Sequence, residues 1–542
     1  MSTTTQTRTT IETPASGESN LPEGWALTRL GDICIAPQYG WTTSANKNGE
    51  GLKLLRTTDI SGGVVDWSTV PACEEEPDNP EKYMLQPSDI VVSRAGSVGV
   101  SYLIKEAPRA IFASYLIRFR PWPPIESDFI ALFLKSPQYW TAIAEESAGI
   151  AIPNVNASKM KLIELPIPPL FEQRRIVSKI EELFTQVDAA RDRLTRVPKI
   201  LKRFRQAVLA AACSGRLTAD WRKTPVQCDS ASLLERVLSN YEGRWKLLHK
   251  KRKPVAQPKG LESGWKRKYG LQDSTNGEFP DLPLGWAWVP LGMLGKDPLH
   301  TVQTGPFGAQ LHRDEFTETG IPVVAVGNLT GMGFTTDGLY FVTPQKAKQL
   351  AKYDVQASDV LFARSGATLG KVCVAPSFVR DWRMTGHILR ARFDSELLLP
   401  EYGAYALHGD QTVIAQVSGN IRGVTRPGFN TSLLEVVRLP LPPLKEQYEI
   451  VRRVEALFKL ASAIEKRVEL ATKRAEKLTQ AILAKAFRGE LVPTEAELAR
   501  REGRSYEPAS ALLARIHAER ALPLEHTRSR YKLGRRQTKG PH

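Results

Sequence analysis

Two long segments of the chain carry apolar residues in steps of four and three, and each segment starts just after a Pro-Pro pair. The pairs lie in LPIPPLFEQRRIVSKIEELF at 165–184 and in LPLPPLKEQYEIVRRVEALF at 439–458, which begin 274 residues apart. The apolar positions are Ile176, Ile180, Leu183, Val187, Ala190, Leu194, Val197, Leu201, Phe204 and Val208 in the first segment, and Ile450, Val454, Leu457, Ala461, Ile464, Val468, Ala471, Ala475, Leu478 and Ile482 in the second. A heptad this long is typical of a coiled-coil seam, so the pattern predicts two long helices that pair with each other. Two unrelated amphipathic helices would give a similar pattern, but the constant offset favours a tandem duplication.

The predicted helices extend over about 171–213 and 445–487, and a glycine follows each as a stop signal. At about 1.5 Å per residue, each helix would be a rod of roughly 65 Å. Pro198 lies inside the first heptad series, where the second series has Thr472. A proline inside a helix costs about 3 kcal/mol, so we expect a kink or a break there.

Short β-like runs precede each helix and also occur twice. LPEGWALTRLGDI at 21–33 matches LPLGWAWVPLGML at 282–294, and SDIVVSRAGSVGVSYLI at 88–104 matches SDVLFARSGATLGKVCV at 358–374. Strand-like runs mixed with short helical pieces predict an α+β domain in each copy. The predicted fold is therefore a mixed α/β domain followed by a long helix, twice, with the helices pairing as an antiparallel coiled coil in a dumbbell of pseudo-two-fold symmetry.

The repeats and the composition shifts between them divide the chain into seven segments. These are a disordered tail at 1–20, a first α/β domain at 21–165, a first helical spacer at 166–225, a short helix with a basic linker at 226–281, a second α/β domain at 282–439, a second helical spacer at 440–492, and a short helix with a basic tail at 493–542.

Charge and cysteine usage narrow the functional class. Lysine and arginine number 74 against 58 acidic residues, which gives a net charge of +16 and suits a polyanionic partner, although many merely soluble proteins are also basic. The 5 cysteines are scattered and never spaced as C-x-x-C, which favours a reducing cytosol over disulfides or zinc. The N-terminus has no apolar signal region and no apolar run approaches membrane-spanning length, so we expect a cytoplasmic location.

Motifs for cofactor or catalytic loops do not occur in usable form. GATLGK at 366–371 ends like a phosphate-binding loop, but Val372 stands where Ser or Thr would hold magnesium. G-x-G-x-x-G, H-E-x-x-H, G-x-S-x-G and the Asn/Asp-Pro-Pro-aromatic tetrad are absent from the sequence. We interpret the chain as non-catalytic and without a metal or cofactor of its own, with a dispersed carboxylate site as the alternative.

The ordered combination of motifs resembles the specificity subunit of type I restriction-modification systems. The elements that carry the resemblance are the LPxGW openings, the Ser-Asp-hydrophobic segments leading into an arginine and a glycine turn, and LPxPPLxEQxxIV with its long helix, each present twice. The resemblance covers about 21–520 and implies two target-recognition domains that read the halves of a bipartite DNA target across a gap. It also implies two adenine methyltransferase subunits as partners, to which ATP-dependent restriction subunits can add. S-adenosylmethionine, ATP and Mg²⁺ would then be bound by those partners. A stand-alone repressor or architectural protein that binds a bipartite site is the first alternative, and a single-polypeptide nuclease is the second.

Residues that differ between the copies are the candidates for reading bases, whereas shared residues suit scaffold or phosphate contacts. In the shared segments the arginines are candidates for phosphate contact or for a buried structural pairing, and Gly96, Gly99, Gly366 and Gly370 are expected to form the turn. The full set of DNA-binding candidates is Gln38, Thr42, Thr43, Asn46, Lys47, Arg94, Gln303, Thr304, Gln310, His312, Arg313, Arg364, Lys371, Asn420, Arg422 and Arg426.

Overall fold

The computed structural model describes residues 21–46, 49–147, 155–223, 230–251, 261–270, 279–306, 310–364, 369–419 and 429–521. The chain forms two compact units. Unit 1 is Met1–Thr195 with Glu469–His542, and unit 2 is Arg196–Val468. Each unit therefore contains one copy of the repeated α/β domain, one end of the first long helix and one end of the second.

Within the described residues, unit 1 contains ten strands and the start of the first long helix. The strands are β1 (Ala26–Arg29), β2 (Cys34–Tyr39), β3 (Ala45–Asn46), β4 (Lys53–Leu55), β5 (Ala72–Cys73), β6 (Ile90–Ser93), β7 (Ser101–Leu103), β8 (Ala110–Phe112), β9 (Leu116–Pro121) and β10 (Glu164–Ile167). The helices are α1 (Thr57–Ile60), α2 (Ser127–Phe133), α3 (Pro137–Ser147), α4 (Ala157–Lys161) and α5 (Leu170–Cys213), of which α5 continues into unit 2.

Three sheets organise the α/β domain of unit 1. The order β2-β9-β6-β7 is antiparallel throughout, whereas the order β3-β5-β4-β8 contains one parallel pair, β4 with β8. Strand β1 pairs with β10, just before α5 begins, and so joins the start of the domain to its end. Every residue of β6 is buried, which explains its continuous apolar run.

Unit 2 repeats this plan with additional short elements. Its strands are β11 (Ala287–Pro290), β12 (Val302–Thr304), β13 (Ile321–Val324), β14 (Leu329–Thr330), β15 (Gly333–Phe334), β16 (Tyr340–Val342), β17 (Asp354–Val355), β18 (Val360–Ala363), β19 (Val372–Val374), β20 (Trp382–Met384), β21 (Ile388–Ala391) and β22 (Arg438–Leu441). Its helices are α6 (Ser230–Lys251), α7 (Leu261–Lys268), α8 (Pro344–Gln349), α9 (Pro400–Gly409), α10 (Gln411–Gly419), α11 (Thr431–Val436) and the start of α12 (Leu444–Phe487). The C-terminal helices α13 (Glu495–Glu502) and α14 (Ala509–Arg520) belong to unit 1.

The sheets of unit 2 confirm the duplication. The order β12-β21-β18-β19 matches the antiparallel sheet of unit 1. In the mixed sheets, β16-β13-β20 matches β5-β4-β8 and includes the same parallel pair, while the fourth strand is β17 beside β20 in unit 2 and β3 beside β5 in unit 1. Strand β11 pairs with β22 immediately before α12, as β1 pairs with β10 before α5. The predicted mixed α/β domain is therefore present twice, with a shared set of strands and one strand of the mixed sheet placed differently.

A buried hydrogen bond links the LPxGW opening to the start of the long helix in each copy. The indole N–H of Trp25 donates to Glu172 at 2.8 Å, and that of Trp286 donates to Glu446 at 2.8 Å. Both carboxylates are buried. The two motifs that recur in the sequence are thus joined in space, and they hold the α/β domain on its helix.

The glutamine after each of these glutamates serves a second structural role. Gln173 accepts from the backbone N–H of Glu126 at 3.1 Å, and Gln447 accepts from that of Leu399 at 2.8 Å. Both amides also donate to a proline carbonyl five residues earlier, each at 2.9 Å. The Glu-Gln pair of the repeated motif is therefore scaffold, which removes it from the residues able to contact a ligand.

The long helices run antiparallel within each unit. In unit 1, Arg175 near the start of α5 pairs with Glu495, just beyond α12, whereas Arg191 donates to the carbonyl of Ala475 at 3.1 Å and to Thr479 at 3.0 Å. In unit 2, Arg205 pairs with Glu465 at 2.6 Å. Also in unit 2, Glu446 at the start of α12 accepts hydrogen bonds from Thr218 and Arg222, which lie beyond the end of α5. The predicted antiparallel pairing is therefore confirmed in both units.

Two of the twenty predicted seam positions are wrong, and both lie in unit 1. Ala190 and Leu478 are exposed, while the neighbouring Arg191 and Thr479 bond each other inside the seam. A polar layer therefore replaces an apolar one at that point of the helix pair.

The break expected at Pro198 is also wrong, because α5 is continuous from Leu170 to Cys213. Pro198 is exposed, so water can satisfy the backbone carbonyl that loses its helical partner. Both helices end two residues before the predicted stop glycines, Gly215 and Gly489, which have φ angles of 73° and 75°.

Helices α6 and α14 occupy equivalent places in the two units. Leu233 and Val237 of α6 are buried in the core of unit 2, and Leu512 and Ile516 of α14 in the core of unit 1. Each helix thus closes the α/β domain of its own unit. Among the described residues no helix is both long and apolar enough to cross a membrane.

Candidate nucleic-acid interface

A shared arginine follows the buried central strand of each domain and has the same backbone partners in both copies. The N–H of Arg94, after β6, donates to the carbonyl of Tyr115 at 2.9 Å, and the N–H of Arg364, after β18, donates to that of His387 at 3.0 Å. The carbonyls of the two arginines accept from Val155 at 3.1 Å and from Phe429 at 2.9 Å. The backbone frame around each arginine is therefore duplicated.

The side chains of the two arginines have different surroundings. The guanidinium of Arg94 lies 4.9 Å from the ring centre of Tyr39, and its Nε is buried without a hydrogen-bond partner. Arg364 donates to the hydroxyl of Thr304 at 2.9 Å, and burial lowers its pKa from the usual value while leaving it charged at neutral pH. Tyr39 and Thr304 stand at matching places, each as the last residue of the strand that pairs with β9 or β21.

A four-residue turn lies against each arginine. In unit 1 the N–H of Leu116 donates to the carbonyl of Ala113 at 2.9 Å, and in unit 2 that of Ile388 donates to Thr385 at 3.2 Å. The third residue of each turn is the one whose carbonyl accepts from the arginine. These residues, Tyr115 and His387, are both exposed.

A glycine holds each turn by close backbone approach. A Cβ atom on Gly40 would lie 2.2 Å from the carbonyl oxygen of Phe112, and one on Gly305 would lie 2.1 Å from that of Thr385. No side chain fits at either distance, so β2 and β12 approach their turns as closely as the backbone permits. Each turn is consequently packed directly against the backbone of this glycine.

The aspartate of the Ser-Asp pair in each shared segment forms a buried ion pair within the antiparallel sheet. Asp89 accepts two hydrogen bonds from Arg120 at 2.6 and 2.8 Å, and Asp359 accepts two from Arg392 at 2.6 and 2.7 Å. Both carboxylates are buried. The hydrogen bond to Asp359 raises the pKa of Arg392, so its charge is retained. These buried ion pairs link the start of the central strand to the neighbouring strand of the antiparallel sheet.

The sequence that forms these duplicated domains matches a known family model. The family model for the type I restriction modification DNA specificity domain matches residues 22–199 and again 308–472. The chain belongs to this family. Both matches begin in an α/β domain and extend into its long helix, so the family unit is the domain together with that helix.

Specificity subunits of known systems align with this chain over nearly its whole length. The type I restriction enzyme StySPI specificity subunit of Salmonella potsdam is 29% identical over 529 residues, which cover 93% of this chain and 96% of the relative. The EcoKI specificity subunit of Escherichia coli strain K12 is 29% identical over 530 residues, covering 92% and 96%.

Two solved structures share the fold. The HsdS subunit from Thermoanaerobacter tengcongensis gives a TM-score of 0.52 at 20% identity and covers 88% of this chain and all of its own. A chain described in terms of complex assembly and conformational transition of the type I R-M system gives 0.57 at 20% identity, covering 87% and 99%.

In the first domain of this specificity-family chain, some predicted base-reading residues are bonded inside the domain and others are exposed. Gln38 bonds the carbonyl of Lys82 at 2.9 Å and accepts from buried Arg118, so its amide is engaged inside the domain. Thr43 accepts from the N–H of Glu75 at 3.1 Å. Thr42 and Asn46 are exposed. Gln38 is therefore better explained as scaffold, while exposure suits Thr42 and Asn46 to contact a ligand.

In the second domain, Gln303 is better explained as scaffold than as a base-reading residue. It is only 8% exposed and its amide donates to the carbonyl of Thr304 at 2.9 Å, so it cannot present itself to a base edge. Gln310 accepts from the hydroxyl of Tyr353 at 2.7 Å. His312 and Arg313 are exposed. They remain available for contact with a ligand.

Lys371 is half-buried, and its carbonyl accepts from the N–H of Ala363 at 2.9 Å. The predicted turn glycines behave as expected where they are described, since Gly96, Gly99 and Gly370 have φ angles of 76°, 84° and 85°. Four of the candidate site residues and one turn glycine lie outside the described residues, namely Lys47, Gly366, Asn420, Arg422 and Arg426.

Sequence reasoning missed Tyr39, Tyr115 and His387. A signal for the last two exists, because YLIRFR at 115–120 and HILRAR at 387–392 share an Arg-x-Arg ending and differ at the first residue. The arginines of these runs include Arg120 and Arg392, which form the buried ion pairs. Aligning the copies on that ending would have placed Tyr115 opposite His387.

Proposed function

We propose that this chain is the DNA-reading subunit of a type I restriction-modification complex, in which each α/β domain reads one half of a bipartite target. The observation that carries the proposal is the duplicated frame around Arg94 and Arg364, which is identical in its backbone bonds and different in the side chains beside it. A shared frame suits contacts to the DNA backbone, and differing side chains suit different half-site sequences.

Charge and the named relatives support the same role. The net charge of +16 favours binding to a polyanion. The relatives that align over more than nine tenths of this chain are described as specificity subunits of type I restriction enzymes. The paired long helices would then set the gap between the two half-sites.

The catalytic steps would belong to partner subunits. We propose two adenine methyltransferase subunits as partners, with restriction subunits as further additions, and S-adenosylmethionine, ATP and Mg²⁺ bound by those partners. The sequence supports this division because it contains none of the searched catalytic or donor-binding motifs. What this chain contributes is the choice of DNA and the surface on which the partners assemble.

Co-purification tests the proposal directly. The full-length chain, tagged and expressed in its native host, should retain a methyltransferase in stoichiometric amount, and the complex should methylate adenine in a bipartite sequence. The chain freed of its partners should show neither methyl transfer nor cleavage. Recovery of the chain alone with full sequence-specific affinity would instead support a stand-alone repressor.

A further inference from the structure

One exposed side chain holds the same backbone position in both domains and differs in chemistry. Tyr115 is 61% exposed at the third place of the turn at 113–116. His387 is exposed at the third place of the turn at 385–388. Each turn follows a strand of the mixed sheet, β8 or β20, and leads directly into β9 or β21.

The two turns are held by the same hydrogen bonds. The first residue of each turn donates to the strand beside it, Ala113 to Leu55 at 2.9 Å and Thr385 to Val324 at 2.9 Å. The third residue accepts from the shared arginine in both units. Three matched bonds, together with the glycine approach described above, fix the backbone from which Tyr115 and His387 project.

The side chains that these positions carry suit different base edges. A tyrosine ring offers an apolar face for a thymine methyl group, with a hydroxyl that can donate or accept. A histidine ring is smaller and can donate to N7 of a purine in the major groove. Both stand next to an arginine suited to a neighbouring phosphate, which would fix the register of the turn on the duplex.

We propose that Tyr115 and His387 are equivalent base-reading residues, each setting the base preference at one place in its own half-site. The inference rests on the proposed function and deepens it. Tyr115 contacts the methyl group of thymine, and His387 contacts the N7 edge of a purine. The identical backbone position makes the two residues exchangeable without disturbing either domain.

Exchange of the side chains tests the proposal. The full-length chain, purified with the subunits that accompany it, is used to select targets from a pool of DNA duplexes with random sequence. Tyr115→His should change the preferred base at one or two adjacent positions of a single half-site, by about tenfold in relative affinity. His387→Tyr should do the same in the other half-site only. Tyr115→Ala should reduce discrimination at the position that Tyr115→His alters.

Matched controls carry the same substitutions away from the turns. Tyr448 on α12 is 58% exposed, and His517 on α14 is exposed. Tyr448→His and His517→Tyr should leave every base preference unchanged. Melting temperatures within a few degrees of the unsubstituted protein would show that all five variants are folded.

Two results would overturn the inference while leaving the proposed function intact. One is an unsubstituted protein that selects a bipartite sequence which both exchanges leave unaltered. The other is equal weakening on all sequences, which would show a contact to the DNA backbone. If the unsubstituted protein selects no sequence at all, the proposed function itself fails.

Discussion

At the scale of single residues, the side chains of the two equivalent arginines are held in different ways. Arg94 lies over the ring of Tyr39, whereas Arg364 is tied to Thr304 by a hydrogen bond of 2.9 Å. The Nε of Arg94 is buried without a hydrogen-bond partner, which costs free energy. The shared backbone frame therefore does not dictate how the side chain of the arginine is held.

Replacing either arginine should weaken DNA binding in a sequence-independent way. Under the proposed function each arginine contacts one phosphate, so with Arg94→Ala or Arg364→Ala the affinity should fall on all duplexes and the salt dependence should flatten by about one unit of slope. Arg94→Lys keeps the charge and should keep the slope. Binding titrations at several salt concentrations measure this, and unfolded protein would instead indicate a structural role.

The close approach of β2 to its turn predicts a sharp difference between two glycines. Gly40→Ala should destabilise the protein by about 2–4 kcal/mol, because its Cβ would collide with the carbonyl oxygen of Phe112. A Cβ on Gly62 would meet nothing within 4 Å. Gly62→Ala should therefore change stability by less than about 1 kcal/mol. Urea unfolding compares them, and equal effects would refute the steric argument.

At the scale of elements, the union of the α/β domain with α5 depends on a buried carboxylate. Glu172 accepts from Trp25 at 2.8 Å and from the backbone N–H of Glu495 at 2.8 Å. One side chain therefore joins the opening of the domain, the start of α5 and the segment that follows α12. Burial nevertheless raises the pKa of Glu172, since its charged form loses water.

The raised pKa of Glu172 predicts the direction in which the stability of the protein changes with pH. A folded-state pKa above the unfolded value means that folding is most favoured below the unfolded value and loses stability as pH rises through the folded one. The free energy of unfolding of the natural protein should therefore fall relative to that of Glu172→Gln as pH rises above about 4.5. Urea midpoints across pH 4–7 measure it. Glu182→Gln, at an exposed ion pair, is the control and should show a smaller trend.

The sequence revealed some of these elements and not others for a physical reason. Helix periodicity and stop glycines are local signals, so the ends of α5 and α12 agree with prediction to within one residue. The bond between Trp25 and Glu172 spans 147 residues and leaves no periodic trace. The burial of Gln303 likewise depends on how its strand packs, and a polar side chain in the sequence gives no sign of that burial.

At the scale of the whole molecule, the two units predict independent half-sites. Exchanging the first α/β domain, 21–164, for that of a relative should change one half of the target and leave the other half alone. The donor domain must keep a tryptophan equivalent to Trp25, because Glu172 depends on it. Methylation patterns of the chimaera measure the outcome, and a change in both halves would disprove independence.

The proposed role of the paired helices in setting the gap between the half-sites predicts the effect of lengthening both helices. One heptad inserted in each helix at facing positions of unit 1, after Arg193 and after Arg474, lengthens both by about 10 Å and keeps the seams in phase. The preferred gap should then grow by roughly three base pairs, taking about 3.4 Å for each. The half-site sequences should stay unchanged.

The added pairs also rotate one half-site by about 100° about the duplex, so affinity should fall. Selection from a library with randomised gaps provides the measurement. An insertion in one helix alone leaves seven residues unmatched and serves as the comparison. An unchanged gap in the doubly extended protein would show that the helices do not set the distance.

In each unit, the segment that follows a long helix contacts the start of the α/β domain. This arrangement determines where new chain ends can be introduced. In unit 1 the segment after α12 packs against the first residues of the domain, with the N–H of Ala509 bonded to the carbonyl of Gly24 at 2.9 Å and Arg500 paired with Glu23 at 2.7 Å. In unit 2 the segment after α5 packs in the same way, with Gly215 against Pro283 as Gly489 is against Pro22. The order of segments is therefore cyclic, and a circular permutant opened between α6 and α7, with a linker joining the original ends, should fold to the same structure and choose the same target.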